Sequence, residues 1–458
     1  MSGQSVALTG GLVASMDQMR TVYWDGFVLI DRGKIVDIGS GRPPDSTGAV
    51  QIDLNGAIVL PGFVNTHSHL SESLLRGIGP DSPFTINPRH NSVASRSSLR
   101  VDRDDIYVST LISCAELIRS GVTTTTDSLL AWKGRSKSIG ALNAAHDSWL
   151  RVVHTVAFLD RTTMVPAGHQ FSPIGARSEF ESLKSQFEYG MVTVGSEILS
   201  LPRASDELIT TLRHSGEGIH AIHLPYSEEY ANWAKVEYGY SAIEHLDELG
   251  MIDDQLIGAH PIYLDDKEID IYARRGASAA FCAVSNKLIG TKVPTIRRLR
   301  EASIKVGLGL DYPNHGHNMF ETMKMSVLTQ KSLELDAGLG GAFLGLELAT
   351  IEGAKALGLD DVVGSLEVGK KADLIVIDQS RVQLNPPLGV LTLLVYSGTP
   401  DLVSDVMVEG RWVMRNRQIR SFDESEVIKR ASDAQRRVIG IGDHREVPLT
   451  VPELWRLV

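Results

Sequence analysis

Two histidines, one residue apart, follow an apolar run and a Pro-Gly step in "LPGFVNTHSHLSESLLRG", Leu60–Gly77. Side chains at i and i+2 of a β-strand share a face, so the spacing predicts that His67 and His69 project together. Two imidazoles a few ångströms apart offer two nitrogen ligands to one divalent ion. By itself the pair also suits a polar strand end, so the decisive donors must come from elsewhere in the chain. They stand at the ends of other apolar runs: His223 closes "GIHAIH", His260 closes "QLIGAH" and Asp311 closes "SIKVGLGLD". Imidazole nitrogen with one carboxylate oxygen is a ligand mix for zinc or ferrous iron in a hydrolytic site. Such an ion lowers the pKa of a water from near 16 to about 7. Asp311 is then placed to take that water's proton and hand it to a leaving nitrogen, while His260 orients the nucleophile or polarises a carbonyl. Of the chain's 14 histidines, His146, His154, His169, His214 and His245 read as satisfied surface or core residues.

The elements that must position these groups form a regular series. "GFVNTHSH", "GVTTTTDSL", "LRVVHTVAFL", "GMVTVGSEI", "GIHAIHL", "QLIGAHPIYL", "GASAAFCAVSN" and "SIKVGLGLD" are eight strand candidates, with helical stretches such as "DIYVSTLISCAELIRS" between them. The layout predicts an α/β fold, a (β/α)8 TIM-type barrel over 61–365, whose strand ends meet at one mouth. Short β segments with Asp-Arg-Gly and Asn-Gly turns fill residues 1–60, and the same texture returns over 366–422. These predict a small β-sandwich domain assembled from both chain termini. The last piece, 423–458, reads as a helix and a proline-containing tail, and Trp132–Lys137 reads as a solvated loop.

At 458 residues, 43% hydrophobic and 22% charged, the chain can bury a large core. A formal net charge of −11 argues against nucleic acid or an anionic membrane as partner. No run approaches the ~18 apolar residues of a membrane span. The N-terminus lacks a secretory layout. Only Cys114 and Cys282 occur, far apart, which disfavours a disulfide framework. A cytoplasmic enzyme acting on a small molecule is expected, as a homo-oligomer of a dimer or larger.

The runs "PGFVNTHSH", "DDIYVSTLISCAELIRSGVTTTTD", "SNKLIGTKVPTIRRLREASIKVGLGLD" and "GSLEVGKKADLIVID" resemble the amidohydrolase superfamily, within it the group of triazine hydrolases and nucleobase deaminases. The resemblance implies one metal ion, zinc before iron, held by His67, His69, His223 and Asp311, with His260 beside it. The lysine that relatives with two metals place on strand four is missing from "GMVTVGSEILS", where Glu197 is the one candidate bridging carboxylate.

The chain departs from that pattern at strand five. The group's His-x-x-Glu becomes His223 followed by Tyr226, with Glu228 and Glu229 further on. That glutamate protonates a ring nitrogen; a urea, amide or carbamate carbonyl needs no such proton, and the Tyr226 phenol can donate to it. Strand seven carries Phe281 and Ala283 in "FCAVSN", and the loop after Asp311 carries His315 and His317. Phe281, His315, His317 and Glu228 are candidate substrate contacts. The preferred expectation is hydrolysis of a C–N bond in a small urea, amide or carbamate, including an N-aryl (phenyl)urea. Deamination or dechlorination of a purine, pterin or s-triazine ring is the alternative, and a metal-free interaction scaffold a third.

Overall fold

The computed structural model describes residues 5–44, 48–77, 100–130, 136–161, 170–215 and 218–439. Most of the Trp132–Lys137 loop and all of the tail beyond 439 lie outside these residues. Eight parallel strands form the barrel sheet in the order of the sequence. They are β6 (Phe63–Asn65), β7 (Val122–Leu130), β8 (Arg151–Phe158), β9 (Val192–Ile198), β10 (His220–His223), β11 (Leu256–Ala259), β12 (Ser278–Phe281) and β13 (Lys305–Leu308). Every expected strand is present, and a helix covers Arg103–Arg119 where "DIYVSTLISCAELIRS" predicts one. Its start is fixed by a capping box, Asp102 accepting from the Asp105 amide and Asp105 from the Asp102 amide.

The seam between β13 and β6 closes the barrel and sets up the site. Thr66 N donates to Leu308 O at 2.8 Å, and Leu310 N to His67 O at 2.9 Å. Asn65 locks the seam from its side chain, accepting from Leu310 N at 2.9 Å and donating to Thr125 Oγ1 at 2.8 Å. Gly309 is required there. A Cβ would stand 2.6 Å from Cys282 Sγ and 3.0 Å from His67 Cβ, so any side chain would push strand eight away from His67.

Both ends of the chain build a second sheet of nine strands. The N-terminal part supplies β1 (Val6–Ala14), β2 (Val22–Asp31), β3 (Lys34–Ser40), β4 (Val50–Asp53) and β5 (Ile58–Pro61). The C-terminal part supplies β14 (Leu374–Ile377), β15 (Val403–Val408), β16 (Arg411–Arg415) and β17 (Gln418–Ile419). The two parts join where β5 and β14 pair antiparallel, Ile58 opposite Ile377. The two-residue period of the strands then divides the core. Ile58, Leu60, Ile375 and Ile377 face the large core shared with the barrel, while Val59, Leu374 and Val376 face a separate cluster with Leu8 and Val28. This strip of alternate side chains fixes the small sheet to the barrel. A helix over Glu424–Ile439 follows, as expected. No helix among the described residues is long and apolar enough to cross a membrane.

Candidate metal centre and active site

His67, His223, His260 and Asp311 gather at the C-terminal mouth of the barrel, all buried, each offering a ligand atom within 4.8 Å of the others. His69 joins them, its Nε2 3.2 Å from His223 Nε2 and 3.4 Å from Asp311 Oδ1. Thus the five sequence-predicted residues that come from strand ends meet in one place. The strand carrying the histidine pair is shorter than expected, ending at Asn65, but Ser68 makes a parallel bridge to Asp311, which keeps His67 and His69 in an extended segment. Their ring centroids are 4.9 Å apart. His260 and Asp311 both adopt positive φ, 57° and 55°, a backbone state uncommon outside glycine that histidine and aspartate enter more readily than most side chains. The chain turns sharply at these two strand ends, and the turn brings both side chains inward.

The far nitrogen of each ring decides what the near one can do. His69 Nδ1 lies 2.9 Å from Ser128 O, and a carbonyl only accepts, so Nδ1 carries the hydrogen. His260 Nδ1 lies 2.8 Å from Asn286 Oδ1, and His223 Nδ1 lies 3.3 Å from Glu197 Oε1. The three Nε2 atoms therefore present bare lone pairs to a common centre. Converging lone pairs repel unless a cation sits among them, and this donor set fits a zinc or ferrous ion. Asp311 is the anionic member. Burial raises its carboxyl, yet the neighbouring imidazoles of His260, His67 and His69 hold it well below the usual range. The Ser285 hydroxyl donates to Asp311 Oδ2.

Glu197 supports the site from behind. It is 1% exposed, accepts from Ser128 Oγ at 2.7 Å and Thr155 Oγ1 at 2.6 Å, and faces the outer nitrogen of His223. Burial raises its carboxyl, but His223 and Thr155 bring it down to about 2. An ionised Glu197 holds the outer nitrogen of His223.

Tyr226 reaches the edge of the cluster. It is 6% exposed, its ring centroid 6.2 Å from that of His260. Burial pushes its phenol up. The other expected contacts need correction. Glu228 is exposed in the first turn of the helix Glu228–Tyr238, where an acidic side chain complements the helix dipole, away from the buried cluster. Phe281 is fully buried in the main core. Its neighbour Ala280 lines the small void inside the barrel, so the alternation of the strand turns Phe281 outward to the helix layer. His317, 1% exposed, is tied to Glu116, its amide donating to Oε2 at 3.0 Å and its Nδ1 3.5 Å away. Burial pushes the His315 imidazole down, against the charge of Asp311, which raises it. Ser285 and Asn286 were visible in "FCAVSN" as a Ser-Asn pair, yet nothing in their type alone tells that one holds Asp311 and the other His260.

A family model described as the amidohydrolase family matches residues 58–413. The chain is 30% identical over 451 residues to a 5-methylthioadenosine/S-adenosylhomocysteine deaminase of Symbiobacterium thermophilum, a match covering 95% of this chain and 99% of the relative. A zinc-bound adenosine deaminase of Xanthomonas campestris has a TM-score of 0.86 at 22% identity, covering 96% of this chain and 99% of that one. An atrazine chlorohydrolase variant of Arthrobacter aurescens, complexed with zinc and atraton, gives a TM-score of 0.88 at 23% identity, with 94% and 100% covered. At these identities the structural likenesses concern the fold.

Proposed function

Since the chain belongs to the amidohydrolase family, as a hydrolase of C–N bonds, we propose that it is a metal-dependent aminohydrolase removing the exocyclic amino group of an adenine-type nucleoside. The observation that carries this reading is the match over nearly the whole of both chains to an enzyme named as a deaminase of 5-methylthioadenosine and S-adenosylhomocysteine. The convergent imidazoles and Asp311 support it, because hydrolytic deamination needs an acidified water and a base to receive its proton. One divalent ion held by His67, His69, His223 and Asp311, zinc before iron, would supply Lewis acidity and an acidified water. In this reading Asp311 accepts a proton from the attacking water and passes it to the departing nitrogen. Ser285 and His260 hold the carboxylate in line, and Asn286 fixes the ring of His260. A cytoplasmic location and a homo-oligomeric assembly belong to the same proposal.

Tyr226 in place of the strand-five glutamate favours a second reading, cleavage of a urea, amide or carbamate, where a phenol can polarise the carbonyl without protonating a ring. N-aryl ureas are the specific form of it. A parallel assay separates the two. The zinc-loaded protein is expected to release ammonia from adenosine, 5'-deoxyadenosine or 5-methylthioadenosine. Release of aniline from an aryl urea, with no ammonia from any nucleoside, would overturn the deaminase reading.

A further inference from the structure

A histidine–carboxylate pair stands behind the metal centre, in the layer between the barrel strands and the helices. Asp127 of β7 is 1% exposed, His154 of β8 is fully buried, and the two are opposite each other in the parallel register. Their neighbours Thr126 and Thr155 line the small void inside the barrel, so alternation turns Asp127 and His154 outward, away from the ring of metal ligands. His154 Nδ1 lies 2.9 Å from Asp127 Oδ2, off the axis of a hydrogen bond. Burying a carboxylate and an imidazole there costs more than burying an apolar pair of similar size. The chemistry proposed above uses neither of them.

What the pair touches on its other side is the segment that carries His69. The end of β7 grips that segment at four points. Ser68 Oγ donates to Thr126 O, and Ser128 N donates to Ser68 O at 2.7 Å. His69 Nδ1 donates to Ser128 O at 2.9 Å, and Leu70 N donates to Asp127 Oδ1 at 2.9 Å. Three of these acceptors are backbone carbonyls, and only the last is a side chain. Leu70 opens a 3-10 helix, Leu70–Leu75, whose N-cap is His69. The imidazole of that N-cap is spent on the cluster and caps nothing, so the first amide of the helix takes its acceptor from another strand. The second oxygen of the same carboxylate meets His154, which sets the rotation of Asp127 from β8.

We propose that Asp127, steered by His154, is a positioning residue for the metal centre. It holds the Leu70 amide, and with it the backbone at His69, so that His69 Nε2 stays 3.2 Å from His223 Nε2 and aimed into the cluster. The Ser128 carbonyl fixes the ring of His69, and Asp127 fixes the chain that bears the ring. The inference rests on His67, His69, His223 and Asp311 serving one ion, and not on the choice of substrate.

The full chain loaded with Co2+ tests this, because the visible absorption of the ion reports the arrangement of its ligands, while melts of the metal-free protein report the fold. Asp127→Ala removes the acceptor, Asp127→Asn keeps an oxygen for the Leu70 amide, and His154→Phe fills the layer without meeting Oδ2. Competition against a chelator should show Co2+ affinity falling roughly 10- to 100-fold in Asp127→Ala and about tenfold in His154→Phe, both with shifted absorption bands. Asp127→Asn should stay within about threefold of the parent. Parent affinity and parent bands in Asp127→Ala and His154→Phe overturn the positioning role, even where those variants melt earlier. An Asp127→Asn protein as weak as Asp127→Ala overturns it as well, since the bond to Leu70 would then not be what matters. If none of the three folds, the pair is a fold determinant and the proposal falls. A parent that takes up neither cobalt nor zinc refutes the metal reading itself, a result distinct from a loaded parent with equally tight variants.

Discussion

On the segment after β13, Asp311 and His317 belong to two histidine–carboxylate assemblies wired in opposite ways. At Asp311, one carboxylate faces the inner ring nitrogens of His67, His69 and His260 at 3.2 to 3.4 Å. At His317, the carboxylate of Glu116 is fully partnered. Arg76 reaches it with two bonds of 2.7 and 2.8 Å, the His317 amide adds a third, and Arg76 Nε also holds Pro313 O at 2.9 Å. The carboxylate of the second assembly is satisfied by protein groups and works as a latch between the loop, the Leu70–Leu75 helix and the Arg103–Arg119 helix. The first is complete only with a cation. Residue types hardly distinguish them; the direction of the lone pairs does.

The comparison breaks most sharply at the cluster. Asp311→Asn or His67→Ala should take the metal content from about one equivalent to nearly none and lower kcat/KM by roughly a thousandfold, the several kcal/mol a Lewis-acid ion supplies. A variant that kept both its metal and its rate would mean that the five residues do not serve one ion. The outer ring of hydrogen bonds comes next. Asn286→Ala releases the far nitrogen of His260, and metal affinity or activity should drop roughly 10- to 100-fold. Competition against a chelator of known affinity measures the first, and an unchanged curve with unchanged activity would remove Asn286 from the site.

The latch should respond in stability rather than chemistry. Arg76→Ala is expected to lower unfolding stability by about 1 kcal/mol, with the metal content of the parent. Thermal melts with metal analysis of the same samples check it, and loss of metal would join the two assemblies into one. The smallest effect is a pH dependence. Burial raises the Glu116 carboxyl, but the hydrogen bond and charge of His317 and the charge of Arg76 bring it down to about 2, from an ordinary 4.5. A depressed folded value contributes stability that is present above about 4.5 and lost as the pH falls through 2. The difference in melting temperature between the parent and Glu116→Gln should therefore shrink between pH 6 and pH 3. A constant difference would show that packing, not charge, holds the loop.

The sequence carries the barrel and the core of the site plainly. Eight apolar runs of strand length, His67 and His69 at one run's end, and His223, His260 and Asp311 closing three others are local patterns, and the barrel rule turns each strand end into a site position. What local pattern misses is facing and partnership. Phe281 lies beside the site in sequence, yet one step of strand alternation sends it into the helix layer. Glu228 follows Tyr226 closely, yet Ser227 caps a helix there and carries the carboxylate out to water.

Read alone, the chain determines which elements form and which donor types sit where the strands end, because alternation and turn chemistry act over a few residues. The tertiary structure decides the rest. Closure of β13 on β6 brings residues more than two hundred positions apart within hydrogen-bond reach, and only then do Ser128, Asn286 and Glu197 fix the rings so that their lone pairs meet. That orientation depends on partners from different strands and helices, which no window of sequence contains.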